Sequence, residues 1–282
     1  MKHLAYILPM AAAFAFAACD NIEDDERWGE KHPIVAKKNV LIEDFTGQNC
    51  SNCPLAANVI HEIQMNESIG QHVIAVSIHG GSMSYSINNH PMGLATEVGD
   101  EYNRHWNVAT WPNGMVDRVG GLQEYTQWAT SVAQRLPEEA SVEIDINSDY
   151  ASDDTHATAG TLDITVNLSE TTPGALTNAC LNVWLTESGI TAMQQMPNGK
   201  GNNLNYVHDH VLRDCLTATL GDAVNTDSEG KATWQATYSI PLKYGRIIYT
   251  QPAFMDVVAF VTDGPDGEVL QVVQVPAASI LN

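Results

Sequence analysis

The amino-acid sequence predicts an α/β unit followed by an all-β sandwich, and three observations carry that division. The first is a buried-strand pattern at Val40, Leu41 and Ile42, a helical stripe at Leu55, Val59 and Ile63, and a second apolar run over residues 73–78. Strand, helix and strand in that order make a βαβ unit with a right-handed crossover. The second is a change of texture after residue 140, where short alternating segments are separated by Gly, Pro, Asn and Asp. The third is Pro137, which closes an amphipathic run and marks a break. The expected order is a signal segment at 1–18, a tether at 19–35, an α/β domain at 36–137 and a β-sandwich at 138–282.

Composition sets outer bounds on function. Hydrophobic residues make up 44% of the 282 and charged residues 17%, the balance of a globular chain. The formal net charge of −21, from 13 Lys+Arg against 34 Asp+Glu, argues against nucleic acid and anionic membrane surfaces as direct partners. At the N-terminus Met1-Lys2-His3 precedes an apolar stretch over 4–18, too short for a comfortable transmembrane helix. It ends Phe16-Ala17-Ala18-Cys19, which resembles a bacterial lipobox with cleavage before Cys19 and lipidation of its thiol. The alternative is an ordinary signal peptide cut after Ala15 or Ala17. An acidic run over 20–26 follows, a polar tether that also resembles the surface-export signal of some Gram-negative lipoproteins. Either way the chain is expected beyond the cytoplasm, where disulfides persist.

The α/β unit is organised around residues 40–54, V-L-I-E-D-F-T-G-Q-N-C-S-N-C-P. Cys50 and Cys53 open the expected helix at 54–65, where unpaired N–H groups and the helix dipole favour a thiolate. No second C-x-x-C supplies further zinc ligands, and no G-x-S-x-G accompanies His79-Gly80-Gly81-Ser82, so zinc and esterase readings are set aside. A helix at 94–106, the tripeptide Thr110-Trp111-Pro112, a short strand at 114–117 and a helix at 122–136 complete the unit.

That order resembles the thioredoxin-like fold in its thiol–disulfide oxidoreductase branch. The resemblance implies Cys50 as an exposed nucleophile, Cys53 as the resolving thiol, Pro112 as a cis-proline facing the dithiol and Trp111 as a peptide-binding neighbour. It also implies that Asp44, six residues before Cys50, is a buried acid beneath the dithiol. Such a carboxylate has a raised pKa and can take the proton of Cys53. Glu43, on the opposite strand face, is the competing acid. Asn49 and Ser51-Asn52 depart from the family pattern and leave the redox direction open. The alternative for the pair itself is a purely structural disulfide.

In the second half, segments at 142–146, 162–168, 180–185, 206–212, 231–240, 255–262 and 270–275 read as strands of an antiparallel sandwich. Cys180 and Cys215 are expected to form a second, structural disulfide, the alternative being two buried free thiols. In a continuous strand His208 and His210 would share a face and could supply two metal ligands. No third ligand can be named, so they read as structural, and no metal or cofactor is expected.

The lipobox, E-D-F-T-G-x-x-C-x-x-C-P, H-D-H-V-L-R and the late A-F-V-T-D and E-V-L-Q-V strands together resemble the Omp28-related outer-membrane lipoproteins. The resemblance implies a thioredoxin-like domain followed by an immunoglobulin-like sandwich, anchored in the outer membrane through Cys19, on the periplasmic side or at the cell surface. The expected function is thiol–disulfide exchange with protein thiols, disulfides or other envelope proteins. The alternative is a surface binding or adhesion lipoprotein whose C-x-x-C is structural.

Overall fold

Alternation of side chains along the first strand decides how the layers stack. The computed structural model describes residues 34–152, 159–246 and 248–278; the signal segment, Cys19 and most of the tether fall outside them. Strand β1 (Val40–Thr46) leads through a turn to helix α1 (Cys53–Gln64), which returns to β2 (Val73–His79), parallel to β1. Helix α2 (Glu97–His105), strand β3 (Asn113–Val116) and helix α3 (Trp128–Arg135) follow. Thr96 caps α2 by accepting a hydrogen bond from the Gly99 N–H at 3.0 Å. Val40, Ile42, Val73 and Ala75 point to one face, where they pack against Ala56, Ile60 and Ile63 of α1 and Trp128 and Val132 of α3.

The remaining elements are nearly all strands. They are β4 (Val142–Ser152), β5 (Gly160–Glu170), β6 (Cys180–Glu187), β7 (Ile190–Gln195), β8 (Asn202–His208) and β9 (Val211–Cys215). Next come β10 (Asp222–Ala223), β11 (Lys231–Ile240), β12 (Lys243–Tyr244) and β13 (Ile248–Tyr249). The pair β14 (Met255–Thr262) and β15 (Val269–Pro276) closes the set. Strands β4, β5 and β11 form an antiparallel sheet that packs face to face on β6, β14 and β15. Leu162, Ile164, Val166 and Leu168 from one layer meet Leu181, Val183, Leu185, Val257 and Ala259 from the other, a dry sandwich core.

The expected fold class, with an α/β thioredoxin-like domain ahead of an immunoglobulin-like sandwich, is overturned: the described residues are mostly strand, in several sheets, and show no clear α/β thioredoxin-like domain. One sheet runs β15-β14-β6-β9-β2-β1-β3, so strands from both halves of the chain are continuous neighbours. A single apolar cluster joins Leu41, Phe45, Val76, Ile78 and Tyr102 to Trp184, Leu212, Val258 and Phe260. Strand far outweighs helix among the described residues. The physical reason is that β2, buried on both faces, still has a free edge, and β9 takes it: the Ser77 N–H donates to the His210 carbonyl at 2.8 Å.

Candidate functional site

Past Ile42 the face of β1 that carries apolar residues turns polar. Asp44 and Thr46 continue it, and Ser77 and His79 are their register partners on β2. These side chains face α1, whose first residue is Cys53. The turn before the helix is tight, with the Cys50 N–H donating to the Gly47 carbonyl at 3.1 Å. Cys50 and Cys53 are joined by a disulfide, and the Cys53 N–H donates to Cys50 Sγ at 3.1 Å. Both cysteines are buried, with Cys50 4% and Cys53 2% exposed, so the exposed nucleophile implied by resemblance is not what this closed arrangement presents.

A cavity of about 90 Å³ is lined by Asp44, Cys53, His79, Gln194, Tyr206 and His208 among others. Asp44 is 1% exposed, its Oδ1 has no hydrogen-bond partner, and burial pushes its carboxyl up to about 8. Both ring nitrogens of His79 are buried, and the Ser77 backbone is the hydrogen-bonding group that favours its protonated form. Burial, reinforced by nearby His208, holds His79 well below the ordinary imidazole range. The two rings meet edge to face at 5.4 Å, and burial lowers His208 to about 4. At neutral pH Asp44 is therefore protonated, and His79 and His208 are neutral.

Glu43, the competing acid, points to the opposite face and is fully engaged. Arg118 Nε and NH2 donate to its two oxygens at 3.0 and 3.1 Å, and the guanidinium stacks on Trp106 and Phe260. The Trp111–Pro112 peptide is cis. Pro112 directly precedes Asn113, the partner of Phe45, so it lies at the same end of β1 as the dithiol turn. The Trp111 indole donates to Asn103 Oδ1 at 3.2 Å and its ring packs on Gly81, where φ is +66° and a Cβ would lie 2.6 Å from the ring.

Two sequence expectations fail on geometry. Cys180 and Cys215 are both free thiols. Cys180 opens β6 and Cys215 stands opposite Trp184. The strand rise separates those rungs by about 13 Å, beyond the span of a disulfide. His208 and His210 share no strand face, because β8 ends at His208 and His210 takes a left-handed φ of 57°. His210 Nε2 instead meets Gln64 Oε1 of α1 at 3.2 Å. Among the described residues no three His, Cys, Asp or Glu side chains converge to hold a metal ion.

Residues 99–279, well over half the chain, match the family described as outer membrane protein Omp28. The chain belongs to the Omp28 family. Membership places it in the outer membrane. The matched span includes Trp111, Pro112 and the β7–β8 hairpin but begins after Cys50 and Cys53. No curated protein matches the chain. Among solved structures, HBP35 of Porphyromonas gingivalis shares the fold with a TM-score of 0.62 at 16% identity, covering 88% of this Omp28 chain and 78% of its own. A protein of Agrobacterium tumefaciens aligns at TM-score 0.46 and 14% identity over 86% of this chain and 96% of its own. A domain of the outer membrane lipoprotein Omp28 from Porphyromonas gingivalis aligns at TM-score 0.33 and 21% identity over 49% of this chain and 89% of its own.

Sequence reasoning missed Gln194, Gln48 and Tyr206 at the site. Gln194 and Gln48 are almost fully buried, and both bond across from one half of the chain to the other. The one signal was the run Ile190-Thr191-Ala192-Met193-Gln194-Gln195, whose polar end a plain alternation does not explain.

Proposed function

We propose that this outer membrane protein, tethered through a lipidated Cys19, carries a reducible Cys50–Cys53 couple that exchanges with thiols and disulfides of envelope proteins. The observation that carries the reading is the Asp44 carboxyl, buried, unpartnered at Oδ1 and facing the same cavity as Cys53. A disulfide that serves only as a staple has no use for such a group, whose burial is costly.

An incoming thiolate attacks Cys50 Sγ, the Cys50–Cys53 bond breaks, and Cys53 leaves as a thiolate that takes the proton of Asp44. A second thiolate attacks the mixed disulfide and releases Cys50 as the second thiolate, which is protonated from solvent. Two electrons pass from the two incoming thiols, which leave joined as a disulfide. In the reverse direction the Asp44 carboxylate accepts the proton of Cys53 while a substrate disulfide is reduced. The end of β1 that carries the dithiol turn also carries Trp111 and Pro112, which supports a role for them in receiving the partner chain.

The test uses residues 20–282. Equilibration with dithiothreitol buffers gives the reduction potential, and a Cys53→Ser variant traps partners at Cys50. A potential above roughly −300 mV with mixed disulfides trapped at Cys50 is expected. A lower potential and no trapped species would overturn the reading. A second reading, a closed structural disulfide in a binding lipoprotein, is favoured by the burial of both sulfurs and predicts that second outcome.

A further inference from the structure

The hairpin β7–β8 belongs to neither layer of the sandwich; it forms a two-stranded sheet of its own. A register shift between Ala192 and Gln194 breaks the alternation of β7, so Ala192, Met193 and Gln194 are all buried in succession. A bulge of this kind re-aims a side chain. Here it turns Gln194, 2% exposed, towards the dithiol turn. Gln194 Nε2 donates to the Cys50 carbonyl at 2.9 Å, with the Gly47 and Gln195 carbonyls at 3.2 and 3.1 Å. The Gln195 N–H donates to the Gln48 carbonyl at 2.8 Å. Gln48 answers from the other side: its Nε2 donates to the Met193 carbonyl at 3.0 Å, and its Oε1 accepts from the Leu94 N–H at 3.1 Å. The turn that presents the disulfide is thus stitched on both of its flanks to one hairpin.

We propose that Gln194 is a positioning residue, a latch that holds the β7–β8 hairpin against the dithiol turn and so sets access to Cys50 Sγ. The inference rests on the reducible couple proposed above. Thiol–disulfide exchange needs an attacking thiolate in line with the S–S bond, and access governs its rate. With the latch closed, Cys50 is 4% exposed. Release of the Gln194 and Gln195 bonds leaves the Gly47–Cys50 turn tied to the hairpin only through Gln48 and the Met193 carbonyl, while the apolar packing of β1 on α1 is untouched. A partner that loosens the hairpin therefore gains the disulfide.

The test compares the full chain with Gln194→Ala, Gln194→Glu and, as a control, Gln195→Ala, whose exposed side chain takes no part in the latch. The readouts are the second-order rate of disulfide reduction by dithiothreitol at pH 7 and the equilibrium constant for the same reaction. Gln194→Ala is expected to raise the rate at least tenfold while moving the equilibrium constant by less than threefold. Gln194→Glu, which points a carboxylate at three carbonyl oxygens, is expected to raise it further, and Gln195→Ala to leave it within twofold. Equal rates for the native chain and Gln194→Ala overturn the latch. If both rates are measurable the reducible couple survives; if both are zero it falls as well. Should the Gln194 variants fail to fold, hydrogen exchange of the Gln195 N–H in the native chain decides. The latch requires that amide to open with the same urea dependence as disulfide reduction. Protection up to global unfolding beside a fast-reducing disulfide overturns it.

Discussion

Glu43 and Asp44 are neighbours in sequence, equally buried, and chemically almost the same, yet the fold treats them in opposite ways. Alternation along β1 sends Glu43 to the face where Arg118 grips both its oxygens, with Tyr102 completing the cluster. It sends Asp44 to the α1 face, where Oδ1 meets no hydrogen-bond donor and the neutral His79 and His208 are among the groups that line the cavity. A buried charge that is paired and hydrogen-bonded is part of the scaffold. A buried carboxyl left without a cation stays protonated and keeps its proton available. The difference shows that position on the strand, rather than residue type, separates the paired acid from the unpaired one.

The largest expected effect breaks the paired side of this comparison. Arg118→Met leaves Glu43 buried and alone and should lower unfolding stability in urea by about 3–5 kcal/mol. A loss below about 1 kcal/mol would mean that Glu43 is as unsupported as Asp44.

Asp44→Asn tests the other side through pH. The folded carboxyl titrates at about 8 against 3.8 for the free group, so between those values the folded chain holds a proton that the unfolded chain has lost. Stability therefore falls as pH rises through that window. The variant should flatten this decline, by on the order of 2 kcal/mol between pH 6.5 and 8. An unchanged slope would show that Asp44 is ionised at neutral pH.

His208→Gln probes the acid limb. With His208 lowered to about 4 from 6.5, the unfolded chain binds the extra proton, and stability is lost as pH falls through that interval. Removing it should relieve roughly 1.4 kcal/mol of that loss per pH unit, while His79 continues to act in the same direction. Thermal unfolding between pH 6.5 and 4.5 reads the change, and a steeper acid limb in the variant would contradict it.

Much of the secondary structure was legible because periodicity is local. The stripe Leu55, Val59, Ile63 marks α1, and the β-branched run at 73–78 marks β2, each with its observed bounds within a residue or two. Residues 206–212 read as one strand, but the chain bends at Asp209-His210, where a left-handed residue separates β8 from β9. Strand β7 was invisible because its bulge erases the alternation that would announce it. The positions of the dithiol and Asp44 were legible from the C-x-x-C and its distance from the strand. Gln194 was not, because its partners lie 144 and 147 residues away and no local pattern encodes a contact of that separation. The same limit hid the free state of Cys180 and Cys215, since a plausible loop length says nothing about which rung each sulfur occupies.

The junction between β2 and β9 carries a consequence for anyone cutting the gene. Its registered pairing is the single rung Ser77 to Val211, yet it covers the edge of a strand whose side chains are almost all apolar and buried. A fragment ending near residue 137 would lose β9 and present Ile74, Val76 and Ile78 beside an open ladder, the template for edge-to-edge association. Such a truncation is expected to pellet or form oligomers on a sizing column, whereas the intact chain shields that edge with its own later strand.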